Sequence, residues 1–144
     1  MPKYFSINKD LLNEFDRMTN IDKDNIESEL ENNIGNEAIL IQLLYDVNDT
    51  LIQHETALAS KKKEVRLKYM LGKTDDEDEL YGLRINKTEL ETIVDSNRDV
   101  IVLKQKIKEI NNIVEYYEKM LQTVRNKNYT LKNIIDFRKF QAGE

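Results

Sequence analysis

The stretch VIVLKQKIKEINNIVEYYEKMLQTV, residues 100–124, carries the most regular pattern in the sequence. Its apolar side chains recur at alternating spacings of three and four residues without a break. Such a register, kept over more than three heptads, predicts one long helix with a continuous apolar stripe. The stripe consists of Val100, Leu103, Ile107, Ile110, Val114, Tyr117, Leu121 and Val124.

Either a second helix of the same chain or another subunit can cover this stripe. Ile113, Tyr116 and Met120 widen it beyond the surface that one partner helix covers, which favours contact between subunits. Each apolar side chain, once fully buried, contributes about 1.5–3 kcal/mol before entropy. We therefore predict a subunit interface, with an intramolecular helix pair as the alternative. The predicted oligomerisation residues are Leu103, Ile107, Ile110, Val114, Tyr117, Leu121, Val124, Ile134 and Phe137.

Length and composition point to an all-α protein. The chain has 144 residues, of which 34% are charged and 40% hydrophobic, with four glycines and one proline. So few helix-breaking residues favour long helices, and the length fits one domain or two small helical lobes. The absence of cysteine excludes a disulfide framework and fits a reducing cytosol. The N-terminus has no signal-peptide pattern and no apolar run is long enough to span a bilayer, so we expect no membrane association.

The first half of the chain predicts two helices. A short helix covers residues 6–19, and Asp22 or Asp24 can cap the next one. Gly35 weakly interrupts that second helix, whose regular pattern then runs over residues 37–71.

The second half predicts a loop followed by further helices. Residues 72–86 have no periodicity, and Thr88 with Glu91 has the spacing of a capping box that restarts the helix. Residues 95–97 can break the helix again, and residues 125–128 end the long heptad helix before a last short one. The predicted fold is therefore all-α, with long helices forming a helical hairpin between short flanking helices.

Positive charge is concentrated in residues 61–73, KKKEVRLKYMLGK, which we call the basic run. Its six basic residues and one acidic residue give it a net charge of +5, whereas the whole chain carries −5. On a helix, successive turns of this run place Lys62, Arg66, Tyr69 and Lys73 on one stripe, where the cations bind phosphates and the ring stacks on a base. The predicted DNA-binding residues are Lys61, Lys62, Lys63, Arg66, Lys68, Tyr69 and Lys73.

A solvated helix end is the alternative interpretation of the basic run, because cations near a helix C-terminus interact favourably with the macrodipole. One such helix binds a single strand weakly, whereas several copies in one assembly bind it more tightly. The acidic block at residues 75–79 follows directly. We hypothesise that it competes with phosphate for the basic run or docks a basic partner.

Catalysis is not expected. His54 is the only histidine, and the sequence has no glycine-rich phosphate loop, nucleophile elbow or zinc-protease motif. The acidic block lacks the alternating ligands and central glycine of a calcium loop. We therefore expect no enzymatic activity, no metal and no cofactor. A coiled-coil scaffold or adaptor without DNA binding is the alternative to a DNA-binding protein.

Two stretches of the sequence have a specific pattern: the C-terminus, LKNIIDFRKFQAGE, and the order of basic helix, glycine and acidic loop that begins with the basic run. In these stretches the sequence resembles the UvsY-type recombination mediators of T-even-like bacteriophages. The matching residues are Lys132, Ile134, Asp136, Arg138, Phe140, Ala142 and Gly143 at the C-terminus, and Arg66, Leu67, Tyr69 and Gly72 with the acidic residues that follow. Weaker matches are Ile21–Asp22, Asn32–Asn33 and Arg98–Asp99–Val100.

The resemblance implies a non-enzymatic protein of the infected bacterial host's cytoplasm. It implies a ring-like homo-oligomer, a hexamer or heptamer, that binds single-stranded DNA, a RecA-like phage recombinase and the phage single-strand-binding protein. Such a mediator promotes loading of the recombinase onto DNA that the single-strand-binding protein covers, in recombination, repair and recombination-dependent replication. The family's basic motif falls on Arg66, although Glu64 stands where the family has a lysine.

We divide these expected roles at residue 86. Residues 1–86 form the DNA-binding helical region with the acidic loop, and residues 87–144 form the oligomerisation region.

Overall fold

The computed structural model describes residues 9–71 and 86–143. Those residues form four helices and no strands, which confirms the all-α prediction. The helices are α1 (Lys9–Thr19), α2 (Ile26–Met70), α3 (Lys87–Ser96) and α4 (Arg98–Gln141). Lys73 and the acidic block 75–79 lie outside the described residues.

The chain packs as two compact units that share the long helices. One unit comprises Met1–Asn48 with Asn112–Glu144, and the other comprises Asp49–Asn111. Each unit thus draws on residues from both sides of position 86. The division into a DNA-binding region and an oligomerisation region at that position concerns function and stays a prediction.

Helix α2 begins at Ile26, shortly after the predicted capping residues Asp22 and Asp24, and Gly35 lies within it. Asp22 organises the turn before the helix: its Oδ1 accepts from the backbone N of Asp24 at 3.0 Å, and its Oδ2 accepts from Asn25 Nδ2 at 3.0 Å. The hydrogen bonds from Asn25 and from the Asp24 backbone lower the pKa of Asp22. The expected interruption at Gly35 was wrong, because the helix continues on both sides of that residue and tolerates one glycine.

The capping box that starts α3 is Asn86 with Glu89, and the predicted pair of Thr88 and Glu91 was wrong. The backbone N of Glu89 donates to Asn86 Oδ1 at 2.8 Å, and the backbone N of Asn86 donates to Glu89 Oε2 at 3.1 Å. Both pairs have the same spacing, but asparagine is the stronger N-cap residue and comes first in the chain. Glu91 therefore lies inside α3, where its carboxylate serves another contact.

The predicted break at residues 95–97 is confirmed. Helix α3 ends at Ser96 and α4 begins at Arg98. Asn97 Oδ1 accepts from the backbone N of Asp99 at 3.0 Å and of Val100 at 3.2 Å, so its side chain caps α4.

Helix α4 continues through residues 125–128, where the sequence predicted its end. The apolar spacing continues instead, since Val124 and Leu131 are both fully buried. Thr130 donates from its hydroxyl to the carbonyl of Asn126 at 3.2 Å within the helix, so it does not cap a separate one. The helix ends at Gln141, and Gly143 follows with a φ of 77°, a left-handed conformation that glycine adopts without strain.

The core of the first unit joins α1 to α4 through aromatic rings. Phe15 lies 5.0 Å from Tyr116 and 6.0 Å from Tyr117 between ring centroids, the second in an edge-to-face arrangement. Tyr117 is fully buried, and burial raises its pKa to about 12. In the same unit, Asn33 Nδ2 on α2 donates to the carbonyl of Val124 on α4 at 2.8 Å.

A buried lysine attaches the end of α1 to the other helices of this unit. Lys127 Nζ donates to the carbonyls of Met18 and Asn20, each at 2.8 Å, and lies 2.7 Å from Glu29 Oε2. The cation therefore satisfies carbonyls at the C-terminus of α1 and a carboxylate near the start of α2.

The apolar stripe of α4 is largely covered within the single chain. Five of the nine predicted oligomerisation residues are buried: Ile110, Val114, Tyr117, Leu121 and Val124. Leu103, Ile107 and Ile134 are half-buried, and Phe137 is exposed. Burial by other helices of the same chain, the alternative that the sequence left open, accounts for the five buried side chains without a second subunit. The assembly role of all nine stays a prediction.

In the described ranges, no helix has a segment of the length and hydropathy that a membrane span requires.

We expect Lys127→Met to destabilise the protein by about 2–4 kcal/mol, because the Glu29 carboxylate and two carbonyls lose their partner. Urea unfolding followed by circular dichroism measures this change. The matched control is Lys132→Met on the exposed side of α4, which should change stability by less than about 0.5 kcal/mol. Equal effects of the two substitutions would contradict the role assigned to Lys127.

Candidate nucleic-acid interface

The described part of the basic run forms the last turns of α2 in the second unit. Its cations therefore gather at a helix C-terminus, as the sequence predicted. The structure places them in different surroundings: Arg66 binds a carboxylate of α3, Lys61 and Lys68 line a groove beside the start of α4, and Lys63 is exposed.

Arg66 binds Glu91 of α3 through two hydrogen bonds. Arg66 Nε donates to Glu91 Oε1 at 2.8 Å, and Nη2 donates to Oε2 at 2.9 Å. The side chains are 38% and 45% exposed. This pairing lowers the pKa of Glu91 and raises that of Arg66, chiefly through the hydrogen bonds themselves. Arg66, one of the predicted DNA-binding residues, is thus already paired within its own chain.

Lys62 and Asp95 extend this charged contact. Asp95 Oδ1 on α3 accepts from Lys104 Nζ at 3.0 Å, and this bond is the main cause that lowers the pKa of Asp95. The positive charges of Lys62 and Arg66 lower it further, and Lys62 also lowers the pKa of Glu91. Glu91 and Asp95 are one helical turn apart on α3, so both act on the same part of the basic run.

Lys61 lies between two carboxylates. Its Nζ is 3.3 Å from Glu64 Oε1 in the same helix and 3.3 Å from Asp99 Oδ2 on α4. These contacts raise the pKa of Lys61, with the Asp99 hydrogen bond as the larger cause and the Glu64 bond second. Glu64 therefore reduces the positive charge available at this end of the run.

A groove of about 570 Å³ lies beside the run. Lys61, Lys68 and Tyr69 line one side, and Asn97 and Asp99 line another. Lys68 Nζ lies 5.4 Å from the centre of the Tyr69 ring, within the range of a cation–π contact. A groove with cations at its edge and a half-buried aromatic ring can accept a phosphate and a stacked base.

The single stripe predicted from helical spacing is therefore split. Tyr69 lines the groove, whereas Arg66 binds α3, and Lys63 is exposed. Sequence reasoning missed three carboxylates around the run: Glu91 and Asp99 contact it, and Asp95 acts on it through charge. The one available signal was the spacing of Glu91 and Asp95 on a common helix face, which did not reveal the helix that this face contacts.

The only histidine of the chain has a structural contact. His54 Nδ1 lies 2.9 Å from the carbonyl oxygen of Thr50, one turn earlier on α2. A ring nitrogen that donates to this carbonyl orients the half-buried imidazole within its own helix.

Comparison with known proteins agrees with this architecture. The sequence model of the family described as "Recombination, repair and ssDNA binding protein UvsY" matches residues 14–144. The recombination protein uvsY of Enterobacteria phage T4 is 23% identical over 139 residues, which cover 94% of this chain and 98% of that protein.

Solved structures share the fold. A crystal structure of the bacteriophage T4 recombination mediator protein UvsY superposes with a TM-score of 0.78 at 22% identity, covering 95% of this chain and 98% of that one. A second crystal lattice of the same T4 protein gives a TM-score of 0.77 at 20% identity, with coverage of 92% and 99%.

The fold and the basic run define the class: an all-α protein that displays a cationic helix end beside a groove. Because the family match extends over most of the chain, the particular membership follows. The chain belongs to the UvsY family of recombination, repair and single-stranded-DNA-binding proteins.

The Arg66–Glu91 contact predicts a pH dependence of stability. The folded pKa of Glu91 lies below its ordinary value of 4.5, so its contribution is present above that value and is lost as the pH falls through the folded pKa. Arg66→Gln should raise the pKa of Glu91 in an NMR titration of the side-chain carboxyl carbons.

Lys104→Gln is the matched control, because it removes the main cause that lowers the pKa of Asp95. We expect it to raise the pKa of Asp95 and to leave the hydrogen bonds of Glu91 in place. An unchanged titration of Glu91 in Arg66→Gln would show that the contact does not persist in solution.

Proposed function

We propose that this protein is a recombination mediator. It binds single-stranded DNA as a homo-oligomer and promotes loading of a RecA-like phage recombinase onto DNA covered by the phage single-strand-binding protein. The proposal rests above all on the family match over residues 14–144, which includes the basic run and all of α3 and α4. It requires no catalytic residue, metal or cofactor, and it places the protein in the cytoplasm of the infected host.

The basic run supplies the DNA contact in this proposal. Lys61, Lys62, Lys63, Arg66, Lys68 and Lys73 bind phosphates, and Tyr69 stacks on a base in the adjacent groove. Lys73 is included on the basis of the sequence alone, because it lies outside the described residues. Lysine and arginine contacts to phosphates release counterions, so the affinity falls as salt rises.

One chain holds DNA weakly because two of these cations already have carboxylate partners. Arg66 is paired with Glu91, and Lys61 is paired with Glu64 and Asp99. A homo-oligomer, which we propose to be a hexamer or heptamer, presents one basic run per subunit. After the first contact, each further one is intramolecular, and the overall affinity increases.

The exposed apolar side chains of the single chain support assembly. On α2, Ile34, Ala38, Ile41 and Tyr45 recur at spacings of four, three and four residues, and all are exposed. Near the end of α4, Phe137 and Phe140 are 60% and 78% exposed. We propose that subunits associate through these two surfaces. The five buried heptad residues then support assembly by holding α4 in place, while Leu103, Ile107 and Ile134 keep a partly accessible surface.

Handover of DNA is the last step of the proposed mechanism. DNA strands bound to several basic runs at once are bent around the assembly. This bending weakens the binding of the single-strand-binding protein to the DNA. The exposed strand then becomes available to the recombinase. This step is supported by family membership, since both proteins are partners expected of a mediator.

A scaffold without DNA binding is the second candidate function. It is favoured by the ion pairs that Arg66 and Lys61 each form with carboxylates of their own chain. It predicts oligomers that do not bind single-stranded DNA at moderate salt. The following prediction separates the two functions.

We expect Lys62→Ala with Lys63→Ala to weaken binding to a fluorescein-labelled oligothymidine, measured by fluorescence anisotropy. The slope of log K against log salt should become shallower by about 0.7 for each phosphate that the protein no longer binds. The matched control, Lys106→Ala with Lys108→Ala, removes the same charge from exposed positions on α4 in the same unit. If both double variants bind the oligothymidine with the same affinity, the basic run is not the DNA contact. If the wild type does not bind it, the scaffold function is favoured.

Assembly is tested by Ile41→Ser with Tyr45→Ser and, separately, by Phe137→Ser with Phe140→Ser. Each should lower the mass measured by sedimentation and leave the helical signal unchanged, because an apolar side chain buried in an interface contributes about 1.5–3 kcal/mol. Ile101→Ser with Val102→Ser removes exposed apolar side chains elsewhere on α4 and should keep the mass of the wild type. An unchanged mass in both test variants would refute these two surfaces.

A further inference from the structure

The Arg66–Glu91 pair has the geometry of an arginine bound to phosphate. Two nitrogens of the guanidinium, Nε and Nη2, donate to two oxygens of one anionic group at 2.8 and 2.9 Å. The same two-pronged arrangement fits a carboxylate and a phosphate equally well. Glu91 therefore occupies the Nε–Nη2 edge of the Arg66 guanidinium, so a carboxylate and a phosphate exclude each other on that edge.

The contact is open to exchange. Both side chains are more than a third exposed, so water and counterions reach them and the pair adds little stability. An incoming anion does not have to open the core. Only the Glu91 side chain has to leave the guanidinium.

Helix α3 itself is anchored independently of this ion pair. Leu90 and Val94, which flank Glu91 along the helix, are 8% and 0% exposed, and the Asn86–Glu89 capping box holds its first turn. Exchange of carboxylate for phosphate thus requires a rotation of one side chain, while the backbone of α3 stays in place.

We propose that Glu91 is an autoinhibitory carboxylate: it occupies Arg66 in the free protein, and a phosphate of single-stranded DNA displaces it. This inference rests on the proposed DNA-binding function and concerns the regulation of the same site. It gives Glu91 of α3 the role of competing with phosphate for the basic run, which we hypothesised for the acidic block from the sequence. Glu91 thereby weakens binding to isolated anions, whereas a strand with many phosphates displaces it through its other contacts to the basic run.

The first test compares two substitutions that remove the same charge. Glu91→Gln and Glu109→Gln each remove one negative charge from the second unit, but only Glu91 binds Arg66. The affinity for fluorescein-labelled oligothymidine is measured over a salt series. We expect Glu91→Gln to bind roughly two- to fivefold more tightly than Glu109→Gln, the range expected for loss of one exposed ion pair.

The salt dependence provides a second expected result. In the wild type, the Glu91 carboxylate that DNA displaces from Arg66 attracts cations from the solution. This uptake offsets part of the counterion release that accompanies DNA binding. Glu91→Gln lacks that offset, so its slope should be steeper by a fraction of the value of about 0.7 that one phosphate contact contributes on a single strand.

A double variant assigns the effect to Arg66. In an Arg66→Gln background, Glu91→Gln should tighten binding no more than Glu109→Gln does. A gain that persists without Arg66 would show that Glu91 acts only through the general charge of the unit, and the proposal would be wrong.

The wild-type protein gives a test that needs no substitution. On saturation with oligothymidine, the NMR signals of the Arg66 Nε–H group and of the Glu91 carboxyl carbon should both shift as the pair separates. A Glu91 signal that stays unchanged in the saturated complex would overturn the proposal even if a variant failed to fold.

The outcomes separate this proposal from the function on which it rests. Wild-type binding with equal affinities of Glu91→Gln and Glu109→Gln overturns the autoinhibitory role and leaves DNA binding intact. Binding by Glu91→Gln alone supports complete inhibition in the wild type. Absence of binding by every protein in the series overturns both.

Discussion

The burial of the apolar side of α4 within its own chain is the constraint on which the other features depend. Ile110, Tyr117 and Val124 are fully buried, and their spacing keeps α4 helical well past the end that its local sequence indicated. In the first unit this packing brings Phe15 of α1 against the α4 tyrosines and places Lys127 at the end of α1. In the second unit, where Val100 and Val94 are fully buried, the start of α4 and helix α3 are packed with the end of α2. The charged contacts of the basic run follow from that packing.

The distribution of charge has two consequences for function. An acidic chain with one basic run attracts phosphates to one place, because local fields and not the net charge decide what a surface binds. The carboxylates of α3 and α4 then reduce the strength of that attraction. Such moderate binding suits the proposed mechanism, in which the protein binds DNA and later releases it to the recombinase. In the proposed function, repetition of the run in an oligomer supplies the affinity that a single chain lacks.

Much of the fold was predictable because its signals are local. The heptad spacing of α4, the concentration of lysines before residue 72 and the break at Asn97 each depend on residues within a turn or two of one another. The errors have local causes as well. Thr88 and Glu91 have the same spacing as the true capping pair, and Gly35 and residues 125–128 have weak helix propensity that packing overrides. The oligomerisation residues were chosen from an apolar pattern that is the same whether the partner helix belongs to the same chain or to another.

The all-α class, the long helices, the basic run and the resemblance to UvsY-type mediators follow from the amino-acid sequence alone. Helical periodicity and charge clusters are properties of neighbouring residues and need no knowledge of the remaining chain. Which groups meet depends on the tertiary fold: Arg66 and Glu91 are 25 residues apart, Asn33 and Val124 are 91 apart, and Lys127 reaches Met18 across 109 residues. Spacing along a helix shows which face a residue occupies, but the partner of that face depends on how distant segments pack. For this reason the cations were visible in the sequence, and the carboxylate that occupies Arg66 was not.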